Sequence, residues 1–363
     1  MIMNFSTLDL YEQCQHKYLN RHIRRLRPPP MVTLERGSGG HRGIAHFHKT
    51  GDVHEAVELA EHEIREEMDA ADLLAEEVPE WERAIISARE GVRQYAERYS
   101  RLDYTVLRTE VNFLVPIPGT THHCWFLHEQ LLRSLGGGPA YHVCPGAWPQ
   151  GYSCQVPYYL AGVTDAVISM THGSIWLLDH KFSGMKQGIF FKQYLLDMQG
   201  TLYCWGVQES TGITPRGFII NKLNMPWRNQ SADNVTIESE PYPRVHQDYQ
   251  RMLHWAVDIG TEIEAKLSSG REPNLAFRVS PRACTDYNRT CWYQGLCQEW
   301  DDPSLFSNFA LDPLRYHDIG YFDLLWKQGL RWSETPDEIK DYVIEEGLKQ
   351  NLTTHKGELH NVK

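Results

Sequence analysis

The residues best suited to chemistry stand close together. Asp165 interrupts the alternating stretch LAGVTDAVIS, and Asp179, His180 and Lys181 close the nearly continuous apolar run SIWLLDHKFS. Both stretches read as strands, joined by a polar turn of Thr171, His172, Gly173 and Ser174. Side chains alternate across a strand, so Asp179 and Lys181 share one face and His180 takes the other. Two acids and an amine at the end of a buried hairpin are costly unless something uses them. A divalent cation held by both acids, with the amine beside it, is such a use. An Asp-x-Lys pair alone is ordinarily a solvated ion pair. The following helix adds to it, because Gln199 and Tyr203 lie four apart and share a face.

A second set of candidates is sulfur. Cys284, Cys291 and Cys297 form C-x6-C-x5-C in a polar segment with Tyr287, Trp292 and Tyr293 nearby. With Cys14 they make four thiolates, a set that suits zinc or a [4Fe–4S] cluster. Cys14 lies in the most basic part of the chain, which carries Lys17, Arg21, Arg24 and Arg25. That segment is either an ordinary charged helix face or a phosphate-contacting edge of a nucleic-acid groove.

A strand acid, then Asp-x-Lys at the end of a second strand, then Gln-x-x-x-Tyr on a helix resembles the RecB-like branch of the PD-(D/E)XK nucleases. AddB-like and CRISPR-associated exonucleases belong to that branch. The resemblance covers residues 6–300 and extends to the flanks. Gly37, Ser38 and His41 match a Gly-Ser-x-x-His entry to a helix whose His helps hold the catalytic metal. Tyr11, Cys14, Lys17 and Tyr18 match the segment that supplies the first ligand of an iron–sulfur cluster. Here one Cys precedes the nuclease motifs and three follow them, as in those relatives, although the first gap is wider than the C-x2-C many of them show.

The resemblance implies an α/β, restriction-endonuclease-like fold: a mixed central sheet flanked by helices, with an iron–sulfur-clasped helical region. It also implies a Mg2+- or Mn2+-dependent DNA exonuclease acting in recombination, repair or phage DNA processing. Asp165, Asp179, His41 and the backbone carbonyl of His180 would hold the metal, and Glu110 would help place it or its water. Lys181 would orient or deprotonate the attacking water, and Gln199 and Tyr203 would position the lysine or the scissile strand. Cys14, Cys284, Cys291 and Cys297 would hold a [4Fe–4S] cluster, with Zn2+ as the alternative. Single-stranded DNA or duplex ends are the implied substrate, with a helicase or recombination protein as the implied partner class. Two other readings are a non-catalytic DNA-binding module on the same fold and a structure-specific endonuclease.

A first helix capped by Ser6 is expected to stop at the prolines at 28–30. A Gly-rich turn opens a second helix at about Gly40. Two further helices break near Val78 and Pro79, and the strand DYTVLRTEVNFLVPIP carries Glu110. RGFIINKLNMP is a further strand whose Lys222 faces either the site or solvent. Residues 228–240 read as a loop, and a helix runs from about Tyr242 to Leu267. These elements make a nuclease domain over 1–300. Residues 119–157, with Cys124, Cys144, Cys154, His122, His123, His128 and His142, read as an insertion without a tight zinc motif. Residues 301–363 read as a helical extension without an assigned role.

The 363 residues suffice for a substantial core. A net charge of -11 argues against non-specific polyanion binding by the whole molecule but leaves room for a local basic groove. No run is apolar enough to span a bilayer and the start lacks a secretory block, so a soluble, cytoplasmic protein of a bacterial or phage-infected cell is expected. Eight cysteines there suggest metal ligands rather than disulfides.

Overall fold

The computed structural model of the chain describes residues 2–299, except 25, 72, 100, 102, 121, 124–154, 157, 186, 227–229, 287–288, and also residues 309–311. Arg25, Tyr287, Cys124, Cys144, Cys154, His128, His142 and the expected helices beyond 311 lie outside the described residues. Helices α1 (Phe5–Gln13), α2 (Val32–Thr50), α3 (Val53–Ala70) and α4 (Val78–Tyr99) precede strand β1 (Tyr104–Pro116). Strands β2 (Tyr159–Met170) and β3 (Ile175–Ser183), helix α5 (Met198–Thr211), strands β4 (Gly217–Asn224) and β5 (Thr236–Pro243) and helix α6 (His246–Ser268) follow. The chain divides into two compact units, one of Pro29–Phe113 and Gly162–Met252, the other of Met1–Pro28, Leu114–Ala161 and Leu253–Lys363.

The first of these units holds a mixed sheet in the order β2-β3-β4-β5, with β1 also paired to β2. β2 and β3 form the antiparallel hairpin, β3 and β4 run parallel, and β4 and β5 are antiparallel. A parallel pair needs a crossover, and α5 supplies it. β4 is buried almost throughout, as suits a central strand with a parallel neighbour. Mixed α/β architecture with a helix-flanked sheet matches the fold class expected from the sequence.

The glycines of α2 correct one expectation. The helix begins at Val32, not at Gly40, and runs through Gly37, Gly39, Gly40 and Gly43. Gly39, Gly40 and Gly43 serve packing rather than turning, whereas Gly37 has open space beside it. A Cβ on Gly40 would stand 2.0 Å from Cζ of Phe182 on β3, and one on Gly43 would stand 2.7 Å from the Ala56 carbonyl oxygen of α3. Only glycine lets α2 come this close to both neighbours. Behind that contact Ile44, Ala56, Ala60, Val92 and Tyr95 of the helices pack with Leu223 and Met225.

β5 corrects another. Residues 236–243 form an edge strand rather than loop, with Glu238 and Glu240 paired to Lys222 and Ile220 of β4. Charges and prolines on an edge strand guard against further pairing, and they also disguise it as a loop in the sequence. α6 accordingly begins at His246 rather than Tyr242.

In the other unit α1 is capped by Asn4, not Ser6: the Asn4 side chain accepts the Thr7 N–H at 2.9 Å, and the Thr7 hydroxyl returns to the Asn4 backbone. The helix stops at Gln13 because Cys14 is extended, at φ -162°, well before the prolines. A short helix, Gln15–Tyr18, and a π-helical turn, Leu19–Ile23, follow. Tyr11, Tyr18 and Phe277 pack ring to ring, tying this segment to the chain after α6. Among the described residues no helix is long and apolar enough to cross a membrane.

Candidate active site

The hairpin ladder runs from Ser169 opposite Ile175 to Ala166 opposite Leu178. One step further along, Asp165 comes level with Asp179. There the Asp165 carboxylate accepts the His180 N–H at 2.7 Å. The same oxygen meets Nδ1 of His41 at 3.0 Å. His41 reaches it from α2, one residue past the glycine that seats the helix on Phe182, and its ring lies 5.6 Å from the Phe182 ring. The local sequence thus fixes the contact twice, by the missing Cβ of Gly40 and by the hairpin register.

Lys181 Nζ stands 2.8 Å from Asp179 Oδ2 and donates to Gln199 Oε1 at 3.0 Å. Gln199 in turn donates from Nε2 to the Tyr203 hydroxyl at 3.1 Å. The α5 face that carries both residues is set by Asp197, which caps the helix by accepting the Gly200 N–H. His41, Asp165, Asp179, Lys181, Gln199 and Tyr203 are therefore brought together in one unit.

The electrostatics follow from crowding charge where water is scarce. Burial opposes the charge of Asp165, but the His41 ring and the His180 N–H outweigh it and hold the carboxyl well below the usual carboxylate range. Asp179 goes the other way: burial pushes it up, and the Asp165 charge adds to that against the pull of Lys181. For Lys181 burial favours the neutral amine, yet Asp179 and Asp165 overcome it and keep the ammonium. His41 is likewise raised because the two acids outweigh its burial.

His180 shows what sequence reading missed. Its ring turns to Asn221, whose side-chain amide lies 2.9 Å from Nδ1 and whose oxygen accepts from Ser239 at 2.8 Å. Tyr95 meets the ring edge to face at 4.8 Å. Burial lowers the imidazole to about 3, so the ring is neutral. Tyr95 and Asn221 carry no motif, and only the fold places them behind the site.

Glu110 is not drawn into this chain of contacts. It ion-pairs with Lys49 of α2, and its backbone has φ 48°, the left-handed region that a non-glycine residue rarely occupies. Lys222 is fully buried; its ammonium donates to the Met185 carbonyl and lies 4.8 Å from the Phe190 ring centroid.

The four cysteines all lie in the other unit, and Cys297 is within electrostatic reach of the other three. Burial raises the Cys297 thiol to about 12, with Cys14, Cys291 and Cys284 adding to the shift. Cys14 Sγ accepts the Ser280 N–H at 3.4 Å, and Cys291 N–H donates to the Cys284 carbonyl at 2.8 Å. Buried His16 spans Cys297 Sγ, at 3.4 Å, and the Asn274 carbonyl, at 3.0 Å. Among the described residues no three His, Cys, Asp or Glu side chains converge closely enough to form a metal-binding group. Of the basic segment, Lys17 is partly exposed. Arg24 is turned inward, donating to Asn20 and Asn274 side-chain oxygens at 2.8 and 2.7 Å.

A mixed, helix-flanked sheet carries Asp165, Asp179 and Lys181 at one hairpin end. The chain belongs to the PD-(D/E)XK nuclease superfamily, whose family model matches residues 3–298. That membership supports a nuclease. No curated protein matches the chain. Among solved structures, the crystal structure of SSO0001 is similar at 12% identity over 70% of this chain and 85% of its own, with a TM-score of 0.26.

Proposed function

We propose that the chain is a Mg2+- or Mn2+-dependent DNA exonuclease of the RecB-like type. The observation that carries this reading is the hairpin register, which sets Asp165 level with Asp179 beside the Lys181 ammonium. Asp165 keeps its charge and pushes its buried neighbour Asp179 up, an arrangement that suits a shared divalent cation, and hard carboxylate oxygens suit Mg2+ or Mn2+. Asp165, Asp179, His41 and the His180 carbonyl are the donors we assign to it. When bound, the cation supplies neutralisation of the phosphate and a more acidic attacking water.

The chain's own residues do the rest. Lys181 orients the water and stabilises charge growing on the phosphorus oxygens. Gln199 holds the lysine by its carbonyl oxygen, and Tyr203 fixes the far end of that amide. His41 orients the Asp165 carboxylate. Glu110, paired with Lys49, places a water or a second cation only if that ion pair opens. Lys17 and Arg21 are the assigned phosphate contacts.

For Cys14, Cys284, Cys291 and Cys297 we propose a [4Fe–4S] cluster, with Zn2+ the alternative. Cys14, Cys284 and Cys291 add to the rise of the Cys297 thiol, and such a set suits a cation that takes the sulfurs as thiolates.

The test is anaerobic protein with end-labelled single- and double-stranded DNA, with and without Mn2+. Mononucleotides released from an end only when Mn2+ is present support the reading. Cleavage of closed circular single strands would replace it with an endonuclease. Binding without cleavage under every condition would leave a DNA-binding module.

A further inference from the structure

The segment Met185 to Asp197 connects β3, which carries Lys181, to α5, which carries Gln199. Its inward side is aromatic. Phe190, Phe191 and Tyr194 are buried, and the Phe190 ring centroid lies 5.2 and 5.3 Å from those of Phe191 and Tyr194. Its outward side is aliphatic: Ile189 is 67%, Leu195 61% and Leu196 73% exposed, and Lys192 is exposed between them.

Single exposed apolar residues are common on protein surfaces. These differ because the backbone beneath them is pinned. The buried ammonium of Lys222 donates to the Met185 carbonyl. The Tyr242 hydroxyl donates to the Phe191 carbonyl at 2.7 Å. Arg244 donates to the carbonyls of Tyr194 and Asp197 at 3.0 and 3.3 Å, while its guanidinium lies 4.6 Å from the Phe218 ring centroid. Burying a cation is costly, and here the buried Lys222 and the partly buried Arg244 are both committed to the carbonyls of one connecting segment. The leucines are thus held ready in water rather than left on a loose loop, and preorganised contact surface costs less to engage.

The pinned segment also adjoins the reaction centre. The Tyr194 hydroxyl lies within electrostatic reach of Lys181 and Asp179. Leu196 immediately precedes the Asp197 cap, and Gln199 binds Lys181 from the first turn of the same helix. The exposed leucines thus stand within four residues of Gln199, the hydrogen-bond partner of Lys181.

We infer that Leu195 and Leu196 form an apolar wedge against the bases next to the scissile phosphate of a DNA strand, with Lys192 on a flanking phosphate. This rests on the nuclease reading and adds how the strand is gripped. Aliphatic side chains pressed between base steps unstack them, and a lysine adds affinity without sequence preference.

The test uses the full chain, metal chelated with EDTA, and oligonucleotides carrying 2-aminopurine at successive terminal positions. Wild-type protein raises 2-aminopurine fluorescence at the end as the base unstacks. L195S/L196S, with both changes at exposed positions and its melting temperature checked, loses the rise and binds about tenfold more weakly. K192A binds more weakly with a salt slope shallower by about 1 and keeps the rise. An unchanged rise and affinity in L195S/L196S, while wild type cleaves DNA, overturns the wedge and leaves the nuclease reading standing. Wild type that neither binds nor cleaves DNA removes both. A wild-type dimer that dissociates in L195S/L196S without any change in DNA binding assigns the leucines to a second copy and overturns the wedge.

Discussion

The Asp165 carboxylate accepts the backbone N–H of His180 at 2.7 Å, so one acid of the hairpin is tied to the middle of the Asp-His-Lys triplet on the next strand. The spacing between Asp165 and Asp179 is therefore built into the strand pair and does not wait for a cation. A carboxamide keeps the acceptor while losing the charge. Asp165→Asn is expected to lose Mn2+ binding and cleavage and, because the His41 ring favours the charge, to melt somewhat below wild type. Asp165→Ala also leaves the His180 N–H without its partner and costs about 1–3 kcal/mol of stability. Calorimetric Mn2+ titration and denaturant melts on both variants separate charge from hydrogen bond.

Lys181 is held as an ammonium between Asp179 and Gln199. Lys181→Ala is expected to reduce cleavage about 10²–10⁴-fold with little change in DNA affinity. Gln199→Ala, which only frees the lysine, is expected to cost about tenfold. Rates on end-labelled DNA under single-turnover conditions check both. Wild-type cleavage by Lys181→Ala would mean the wrong amine was chosen.

Gly40 gives a test of the packing that delivers His41. Alanine is the better helix former by about 1 kcal/mol, but its Cβ would enter the Phe182 ring. Gly40→Ala is expected to destabilise the protein by about 1–3 kcal/mol, the usual cost of overpacking. Adding Phe182→Leu should restore part of that loss. A double-mutant cycle from urea melts measures the coupling.

Much of this was legible in the sequence because strand alternation is strict. The period of two places Asp179 and Lys181 together and turns His180 away, whatever the rest of the fold does. The four-residue step from Gln199 to Tyr203 does the same on a helix. The start of α2 was hidden because glycine signals both a turn and a close approach, and only the neighbouring Phe182 and Ala56 decide between them. β5 was hidden by the Glu and Pro residues that an edge strand tolerates. Tyr95, Asn221 and Ser239 support His180 from three separate elements, a convergence with no trace in local spacing.

For the four cysteines, anaerobically purified protein is expected to be brown, with absorbance near ~400 nm and about four irons per chain. Cys297→Ser should bleach it and loosen the protein, since Cys14 and the C-terminal cysteines would no longer share a cation. A colourless wild type with one zinc would instead favour the tetrahedral thiolate site. Metal analysis together with absorbance distinguishes them.

His48 provides a pH dependence away from the cation site. Its Nε2 meets the Tyr95 hydroxyl at 2.9 Å, and burial lowers the ring to about 4. In the unfolded chain an ordinary histidine titrates near ~6.5. Between these values the unfolded chain binds a proton that the folded one refuses, so stability falls as pH drops through that window. Above it the group has no effect. The loss attributable to His48 is expected to reach about 2 kcal/mol near the lower end, after allowance for the part of the ring that water reaches. His180 is also held neutral by burial and adds a loss of the same sign, so wild type alone does not isolate one ring. The stability difference between wild type and His48→Gln does: it should be flat from pH 8 to about 7 and move steadily in favour of the variant as pH falls toward about 4.5. A pH-independent difference would show that the His48 ring takes up its proton without leaving the folded state.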